Sequence, residues 1–340
     1  MRNPQAQGWP KRGDRTEIEE VAHKWKWDYL ALIHDEGRRD GLGLRKPYPT
    51  LADGTERYLM HRMNTVERMT WSADRTAVNH LRDRFPLKQH MDRIAPDDVQ
   101  TFVGEMLAQG YKPSTLGTYI ASWRRLFARF GDYDPCADLE LPNPGTTDVA
   151  TFDAHDVERI LDAADAVDRL QVGRVPSARL AVEIGLYMGL RQGEIFALTW
   201  EDIDPDTKTV RVQWQQPKDR LGRKPTKGKY ARTALILPGW WNDKQRGFGL
   251  MVGRDGKPSG SRTQSHLITR VLDTSGLNQI GRGWHVLRHT YSRMFLEAGG
   301  SLEQLQKSLG HSSITTTEQV YGHLREDTAA RLAMERIYGA

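Results

Sequence analysis

A segment rich in proline, glycine and asparagine divides this chain into two parts of different character. Pro135, Pro142, Asn143, Pro144 and Gly145 fall within eleven residues. Proline fixes φ and lacks an N–H donor, so no helix can continue through such a segment. Helical periodicity alone precedes it, whereas the part that follows also shows strand patterns. The chain therefore cannot fold around one continuous helical core, and we expect two large domains.

Hydrophobic spacing assigns the elements on either side of this boundary. It predicts a helical and linker segment over residues 1–54, a helical domain over 55–145 and a mixed domain over 146–340. The predicted helices span 16–36, 55–68, 72–84, 96–109, 113–130, 153–166, 176–189, 262–275, 285–298, 301–308, 315–323 and 325–337, with a short helical stretch at 194–198. Ser72, Pro96 and Pro113 mark predicted helix starts. Strands predicted at 209–215 and 231–237 form a hairpin, so the expected fold class is mainly α with a small β-hairpin or sheet.

Composition restricts the class of protein and its compartment. With 38% hydrophobic and 27% charged residues the chain is typical of a soluble globular protein. No run approaches 18 apolar residues, so we expect no membrane span, and the N-terminus lacks the apolar region of a secretory signal. Cys136 is the only cysteine, which excludes an intrachain disulfide and a cysteine-based zinc cluster. We expect a cytoplasmic protein.

Basic residues are concentrated at the tip of the predicted hairpin. Between residues 218 and 232 a single acidic residue, Asp219, accompanies seven basic ones, Lys218, Arg220, Arg223, Lys224, Lys227, Lys229 and Arg232. A loop of this charge density favours a polyanionic partner, although a solvated hairpin tip would look the same. The helix over 113–130 carries Arg124, Arg125 and Arg129 on the side opposite its aromatic residues, where they face water or phosphate.

Five short segments of the second domain carry side chains that could take part in catalysis or binding. They are Gly-Leu-Arg-Gln-Gly-Glu at 189–194, Lys227 at the hairpin tip, His-Val-Leu-Arg-His-Thr at 285–290, Leu-Gly-His-Ser-Ser at 309–313, and Tyr321. Each alone has a plain interpretation. Arg191 and Glu194 form a surface ion pair, and Tyr321 packs. His285 and His289 are spaced as a metal pair, but a zinc site needs a third ligand, and Val286 stands where a zinc protease carries glutamate.

Together, the order, intervals and flanking residues of these pieces resemble the tyrosine recombinases, or phage-type integrases. The resemblance covers residues 55–340 and is strongest over 185–325. It implies a helical core-binding domain followed by an α+β catalytic domain with a C-terminal tail helix. It also implies a set that cuts and rejoins DNA with no cofactor and no metal: Arg191, Lys227, His285, Arg288, His311 and Tyr321. Glu194 matches the acidic helper of the family.

The resemblance also implies a role for each side chain. Tyr321 attacks a DNA phosphodiester to form a 3′-phosphotyrosyl link, while Arg191 and Arg288 hold the phosphate. Lys227 protonates the 5′-oxygen that leaves, and Lys224 and Lys229 remain alternatives for this general acid. His285 assists proton movement at the tyrosine or binds the phosphate, and His311 donates to a phosphate oxygen. Glu194 orients Arg191 or a neighbouring histidine.

The partners follow from the same resemblance. We expect double-stranded DNA recombination sites, a homotetramer on two DNA sites, and an accessory DNA-bending protein, in a bacterial host. Residues 1–54 are assigned to arm-type DNA binding. The residues expected to bind DNA are Arg124, Arg125, Arg129, Lys224, Lys229 and Arg232. The predicted function is a site-specific recombinase that integrates or excises a phage or other mobile element. A type IB topoisomerase-like nicking–closing enzyme and a non-catalytic DNA-binding regulator remain alternatives.

Overall fold

The computed structural model divides the chain into two compact units, with the division between Gly145 and Thr146. The structure describes residues 48–143, 149–170, 177–219, 221–226, 231–238, 240, 247–253, 257–281, 283–315, 317–318 and 320–322. The helices predicted at 16–36 and 325–337 lie outside these residues. Within them, no helix is both long enough and apolar enough to cross a lipid bilayer.

Four α-helices build the described part of the first unit. They are α1 (Leu51–Thr65), α2 (Arg68–Arg84), α3 (Pro96–Ala108) and α4 (Pro113–Ala128), with a 3-10 turn at Met91–Arg93. Pro96 and Pro113 stand at the first positions of α3 and α4, as predicted, because a proline there sacrifices no helical hydrogen bond. Thr50 caps α1 by accepting a hydrogen bond from the Asp53 amide, so this helix begins before the predicted residue 55.

The prediction that Ser72 caps the second of these helices is wrong. The helix begins at Arg68, and Ser72 lies inside it. The reason is tertiary: Trp71 donates its indole N–H to the Leu59 carbonyl of α1 at 3.0 Å, and the buried Asp74 binds Arg62 of α1 at 2.7 Å. Both contacts need the first turns of α2 to be helical against α1, and they outweigh the local preference of a serine for a cap position.

Trp123 is at the centre of the first unit's core. Its side chain is fully buried, its indole N–H donates to the Ala77 carbonyl at 2.7 Å, and its ring stacks on Phe102 with 5.8 Å between centroids. Leu126 and Phe127 are buried beside it. The aromatic face of α4 is therefore a core face, and burial of such side chains contributes about 1.5–3 kcal/mol each.

The second unit combines six helices with two small antiparallel sheets in its described part. The helices are α5 (Ala154–Leu170), α6 (Ala178–Met188), α7 (Gln192–Ile195), α8 (Ser261–Ser275), α9 (His285–Glu297) and α10 (Leu302–Leu309). α5 packs against α6 and α8, and α6 packs against α9. Gly185 of α6 allows close approach to α9, because a Cβ there would lie 2.8 Å from Leu287. The mainly α fold class is confirmed.

The predicted hairpin consists of two strand pairs rather than one. In one sheet, β1 (Ile203–Asp204), β2 (Thr209–Val212) and β5 (Arg232–Leu235) lie in that order, and β3 (Trp214–Gln215) pairs with β4 (Lys224–Pro225) in the other. β2 pairs with β5 so that Val210 lies opposite Ala234 and Val212 opposite Arg232. Val210 and Ala234 are fully buried. β1 was not predicted, since two residues are too short for a sequence pattern.

Candidate active site

The first site residue, Arg191, lies in a sharp turn between α6 and α7. Gly189 ends α6 with φ 64°, in the left-handed region that glycine adopts without strain. A Cβ on Gly189 would also lie 2.4 Å from the ring of Tyr291. Arg191 then starts α7, and its backbone N–H donates to Glu194 Oε2 at 2.9 Å. The Gly-Leu-Arg-Gln-Gly-Glu string therefore fixes the backbone from which the arginine extends.

Glu194 links two arginines that are distant in sequence. Arg191 Nη1 donates to its Oε1 at 3.2 Å, and Arg232 donates Nη1 and Nη2 to the two carboxylate oxygens at 2.8 and 2.7 Å. Arg232 Nε binds the Ser308 carbonyl at 2.9 Å. Burial opposes ionisation of Glu194, but hydrogen bonds from Arg232 and from the Arg191 backbone outweigh it and lower its pKa to about 2. Glu194 thus holds both the backbone and the side chain of Arg191.

Arg232 does not have the surroundings expected of a DNA-binding residue. Its side chain is 13% exposed, and all three of its guanidinium nitrogens have partners in Glu194 and Ser308. A bidentate pair of this kind fixes geometry as well as charge. The structure therefore favours a positioning role for Arg232, between the α7 carboxylate and α10.

Arg288 is buried and held by carbonyl oxygens. Only 3% of the residue is exposed, Nη1 donates to the Gly189 carbonyl at 2.9 Å, and Nη2 donates to the Leu309 carbonyl at 2.8 Å. Burial, followed by the neighbouring charges of Arg191 and Arg232, lowers its pKa to about 9, against the opposing charge of Glu194. Three arginines, Arg191, Arg232 and Arg288, share the single carboxylate of Glu194 here, so the pocket keeps an excess of positive charge that suits a negative group.

His311 lies against Arg288 in a defined tautomer. Arg288 Nη2 is 3.1 Å from His311 Nε2, and His311 Nδ1 is 3.0 Å from Thr317 Oγ1. Burial, then Arg288, lowers the pKa of this histidine to about 4, so the ring is neutral at pH 7. Because a guanidinium only donates, Nε2 accepts and the proton is on Nδ1. Donation from His311 to a phosphate oxygen therefore requires Nε2 to gain a proton.

Tyr321 is buried in an apolar cluster, with its hydroxyl on a histidine. The residue is 1% exposed and packs with Tyr291, Phe295 and Leu309. Its hydroxyl lies 2.5 Å from His289 Nδ1. Arg288 acts on it electrostatically, and burial raises its pKa. The structure therefore brings the predicted tyrosine to the same side of α9 as the histidine and arginine of this pocket.

His289 is the site residue that sequence reasoning missed as a functional group. The sequence spacing presents it only as a metal ligand with His285, whose ring centroid lies 6.4 Å away. Its position directly after Arg288, one turn beyond His285, was the available signal. Across the described ranges no group of three or more His, Cys, Asp or Glu side chains is arranged to hold a metal ion. The ring contact with His285 is thus better explained by shared helix position than by a ligand pair.

The remaining predicted residues are distributed between the units. Lys227 and Lys229 lie outside the described residues, and Lys224 is in β4. In the first unit, Arg124 pairs with Asp134 at 2.9 Å. Arg125 donates to the buried Asp74 at 3.0 Å and to Ser122 at 2.9 Å, so it ties α4 to α2.

Arg129 lies in a cluster of like charge on the first unit. Burial lowers the pKa of Arg57 and of His61, and the charge of Arg129 lowers both further. Arg62 adds to the effect on His61. These side chains come from α1 and from the end of α4, so the cluster joins two helices. Such a concentration of positive charge favours a polyanionic partner.

Glu194→Gln tests the central ion network through stability. The pKa of Glu194 is about 2 in the folded chain against an ordinary 4.5, so its ionised form stabilises the fold fully above pH 4.5 and progressively less as the pH falls toward 2. We expect the free energy of unfolding of the wild type to lose about 3 kcal/mol over that interval, beyond any loss seen in the variant. Urea unfolding at several pH values measures both.

The matched control is Glu297→Gln, which breaks a more exposed pair with Arg293 on α9. We expect this change to cost no more than about 1 kcal/mol at pH 7, whereas Glu194→Gln costs about 3–5 because it leaves Arg232 buried without its partner. Equal losses of unfolding free energy in the two variants would mean that the buried Glu194 pairs stabilise the fold no more than an exposed ion pair does.

Comparisons with known proteins agree in sequence and in fold. Residues 150–328 match the family model described as the phage integrase family. Tyrosine recombinase XerC of Pseudomonas aeruginosa is 31% identical over 235 residues, which cover 66% of this chain and 74% of that protein. Tyrosine recombinase XerD of Pasteurella multocida is 26% identical over 254 residues, covering 72% and 84%.

Two solved structures share the fold. The Tn1549 transposon integrase, in complex with a circular intermediate DNA, has a TM-score of 0.66 at 19% identity and covers 84% of this chain and 99% of its own. The lambda integrase dimer bound to a COC′ core site has a TM-score of 0.58 at 18% identity, covering 78% and 97%. The predicted combination of a helical domain with an α+β catalytic domain is thereby confirmed as a fold.

Proposed function

The chain belongs to the phage integrase family of tyrosine recombinases, and from this premise we propose that it recombines DNA at specific sites through a 3′-phosphotyrosyl intermediate. The observation that carries the proposal is the surroundings of Arg288. This buried guanidinium contacts His311, interacts electrostatically with Tyr321 and Arg191, and lies in a pocket where three arginines share one carboxylate. A phosphodiester supplies the charge that such a pocket lacks.

The proposed reaction begins when the Tyr321 oxygen attacks a DNA phosphorus. The Oη–P bond forms as the bond from phosphorus to the 5′-oxygen breaks, which leaves a free 5′-hydroxyl and a phosphate joined to tyrosine. This covalent step divides one exchange into two easier ones. The bond energy stays in the phosphotyrosine, so a second 5′-hydroxyl can reverse the step without ATP.

Arg191 and Arg288 stabilise the charge that develops on the phosphate. Both are planar forks that are charged at neutral pH and can bind two phosphate oxygens at once. Arg288 is fixed in advance by Gly189 and Leu309, and Arg191 by Glu194. Because the donors are oriented before the reaction, each contributes roughly 100- to 1000-fold to the rate. Arg232 contributes by holding Glu194.

A lysine of the hairpin protonates the leaving 5′-oxygen. Lys227 is the first choice by sequence, with Lys224 and Lys229 as alternatives. Lys224 stands in β4, which pairs with β3, and β3 contacts α7 next to Arg191. This base of the hairpin therefore lies beside α7, and the assignment of Lys227 or Lys229 rests on the sequence. General-acid catalysis of this kind contributes roughly 100- to 10,000-fold.

We assign the DNA contacts outside the catalytic pocket to positively charged side chains. In the first unit we propose the cluster formed by Arg57, His61 and Arg129, since the positive charge of Arg129 acts on both of the other side chains. Arg124 adds an exposed guanidinium, while Arg125 serves mainly to hold Asp74. Phosphate contacts make affinity fall steeply with salt. A homotetramer on two DNA sites, an accessory DNA-bending protein, and action in the cytoplasm of a bacterial host belong to the same proposal.

The biological role we propose is integration and excision of a phage or other mobile element. The same chemistry would also resolve DNA dimers, and a topoisomerase-like nicking–closing enzyme would use the same residues without exchanging strands between sites. A non-catalytic regulator is less consistent with the buried, pre-oriented Arg288 beside Tyr321, since binding alone needs no such pocket.

A nicked suicide substrate tests the function. DNA from the region flanking the chain's own gene is footprinted first, and a nick is then placed beside the cleavage position so that the released fragment diffuses away. We expect a covalent protein–DNA adduct with a free 5′-hydroxyl on the DNA, and strand transfer between two intact sites. Relaxation of supercoils without strand transfer would favour the topoisomerase alternative, and binding without an adduct would favour the regulator.

A further inference from the structure

The tyrosine hydroxyl and the His289 ring form a short, direct contact. Tyr321 Oη and His289 Nδ1 are 2.5 Å apart, and the ring centroids are 5.8 Å apart. His289 belongs to α9, which also carries Arg288, so the backbone that holds the phosphate-binding arginine fixes this histidine too. A base must lie within hydrogen-bond reach of the proton that it removes, and this histidine does.

Both partners have the protonation states that a proton transfer needs. Burial, together with the charges of His285 and Arg288, lowers the pKa of His289 to about 4, so the ring is neutral and one nitrogen has a free lone pair. Burial raises the pKa of Tyr321, although a hydrogen bond with Ser292 and the charge of Arg288 oppose this. The phenol therefore keeps its proton at neutral pH and cannot attack as an anion without a base.

The other two histidines of the site are poorly placed for this step. His311 has both ring nitrogens engaged, with Arg288 and Thr317. His285 is exposed, and among the described residues no hydrogen bond joins it to Tyr321. The family resemblance implies that His285 assists proton movement at the tyrosine or binds the phosphate, whereas the contact with the tyrosine hydroxyl in the structure belongs to His289.

We propose that His289 is the general base that takes the phenolic proton of Tyr321 during cleavage and returns it during rejoining. The proposal rests on the recombinase function proposed above. As the Oη–P bond forms, the proton moves from Oη to Nδ1, and the electron pair of the breaking P–O bond goes to the 5′-oxygen, which takes its own proton from the hairpin lysine. Rejoining reverses each transfer, so the enzyme ends with the protons it began with.

The charge of the substrate makes this base stronger when it is needed. His285 and Arg288 disfavour a proton on His289, and His311 and Tyr321 are the other titratable groups near it. A phosphodiester between the arginines brings negative charge that offsets these cations. The extra negative charge of the transition state offsets them further, so the imidazolium forms as the phosphate charge develops.

Two substitutions separate proton transfer from positioning. His289→Ala removes both functions. His289→Asn places an amide near the position of Nδ1, so it accepts the tyrosine hydrogen bond but takes no proton at neutral pH. We expect both variants to bind the nicked substrate as the wild type does and to form the covalent adduct about 100- to 10,000-fold more slowly in single-turnover reactions. Added imidazole should accelerate His289→Ala in proportion to its free-base concentration.

A substrate with sulfur in place of the bridging 5′-oxygen shows which of the two proton transfers each residue performs. A thiolate leaves without a proton, so this substrate should rescue Lys227→Ala but leave the defect of His289→Ala unchanged. His155→Ala, on the exposed surface of α5, is the matched control and should cleave at the wild-type rate.

Each failure has a distinct meaning. A His289→Asn protein that cleaves at the wild-type rate overturns the base and leaves only a positioning contact. Wild-type cleavage by His289→Ala overturns both roles of His289 while the recombinase function stands. If the wild type itself forms no adduct, the recombinase function fails, and this role fails with it.

Discussion

Replacing Tyr321 with phenylalanine abolishes the covalent DNA adduct while the protein still folds and binds DNA. The substitution keeps the ring that packs with Tyr291, Phe295 and Leu309 and removes a single oxygen, which hydrogen-bonds with His289 and Ser292. The apolar burial is therefore unchanged, and the loss in the free energy of unfolding should be about 1 kcal/mol. Without the oxygen no ester with phosphorus can form, so the effect on cleavage is complete rather than partial.

The measurement is a denaturing gel of the nicked-substrate reaction, followed by mass spectrometry of the peptide that carries the nucleotide. Tyr291→Phe is the matched control. Tyr291 is also fully buried in this cluster, and its hydroxyl binds the Leu235 carbonyl at 2.9 Å and Ser308 at 2.8 Å. We expect this control to lose some stability and keep the adduct. An adduct that persists in Tyr321→Phe, or that maps to another residue, would contradict the assignment of the nucleophile.

Local patterns made the backbone of the site predictable. Gly189 before Arg191, and Gly310 before His311, both adopt positive φ at the ends of helices, and each leads directly into a site residue. A glycine that ends a helix is a short-range signal that a single sequence carries. The helices and the β2–β5 pairing were predictable for the same reason, since their periods are local.

Contacts across long separations were not predictable in this way. Arg232 follows Glu194 by 38 residues, and a basic hairpin pattern alone could not distinguish a bidentate structural pair from a phosphate contact. Tyr321 follows His289 by 32 residues, and only the packing of the last described helical turn against α9 brings them together. The prediction of where α2 begins was wrong for the same reason, because Trp71 and Asp74 have their partners in another helix.

Substitutions of Arg191 and of Arg288 should differ in how they affect the cleavage rate and the stability of the fold. Arg191→Ala should slow single-turnover cleavage roughly 100- to 1000-fold, because a pre-oriented donor to the transition-state charge is lost. Its effect on stability should stay within about 1 kcal/mol, since the Arg191 side chain is 41% exposed and Glu194 keeps its bidentate pair with Arg232. Rate and stability are therefore uncoupled at this position.

Arg288→Ala should lower both the cleavage rate and the free energy of unfolding. The cleavage rate should fall at least as far as in Arg191→Ala. The buried carbonyls of Gly189 and Leu309 also lose their donor, which costs about 1–3 kcal/mol for each group left without a partner. Quenched-flow cleavage and urea unfolding measure the two effects separately, with Arg293→Ala, at a partly exposed position of α9, as the control. Wild-type cleavage by Arg191→Ala would remove it from the phosphate site. Full stability in Arg288→Ala would mean that the carbonyls do not depend on it, and that its burial serves the phosphate alone.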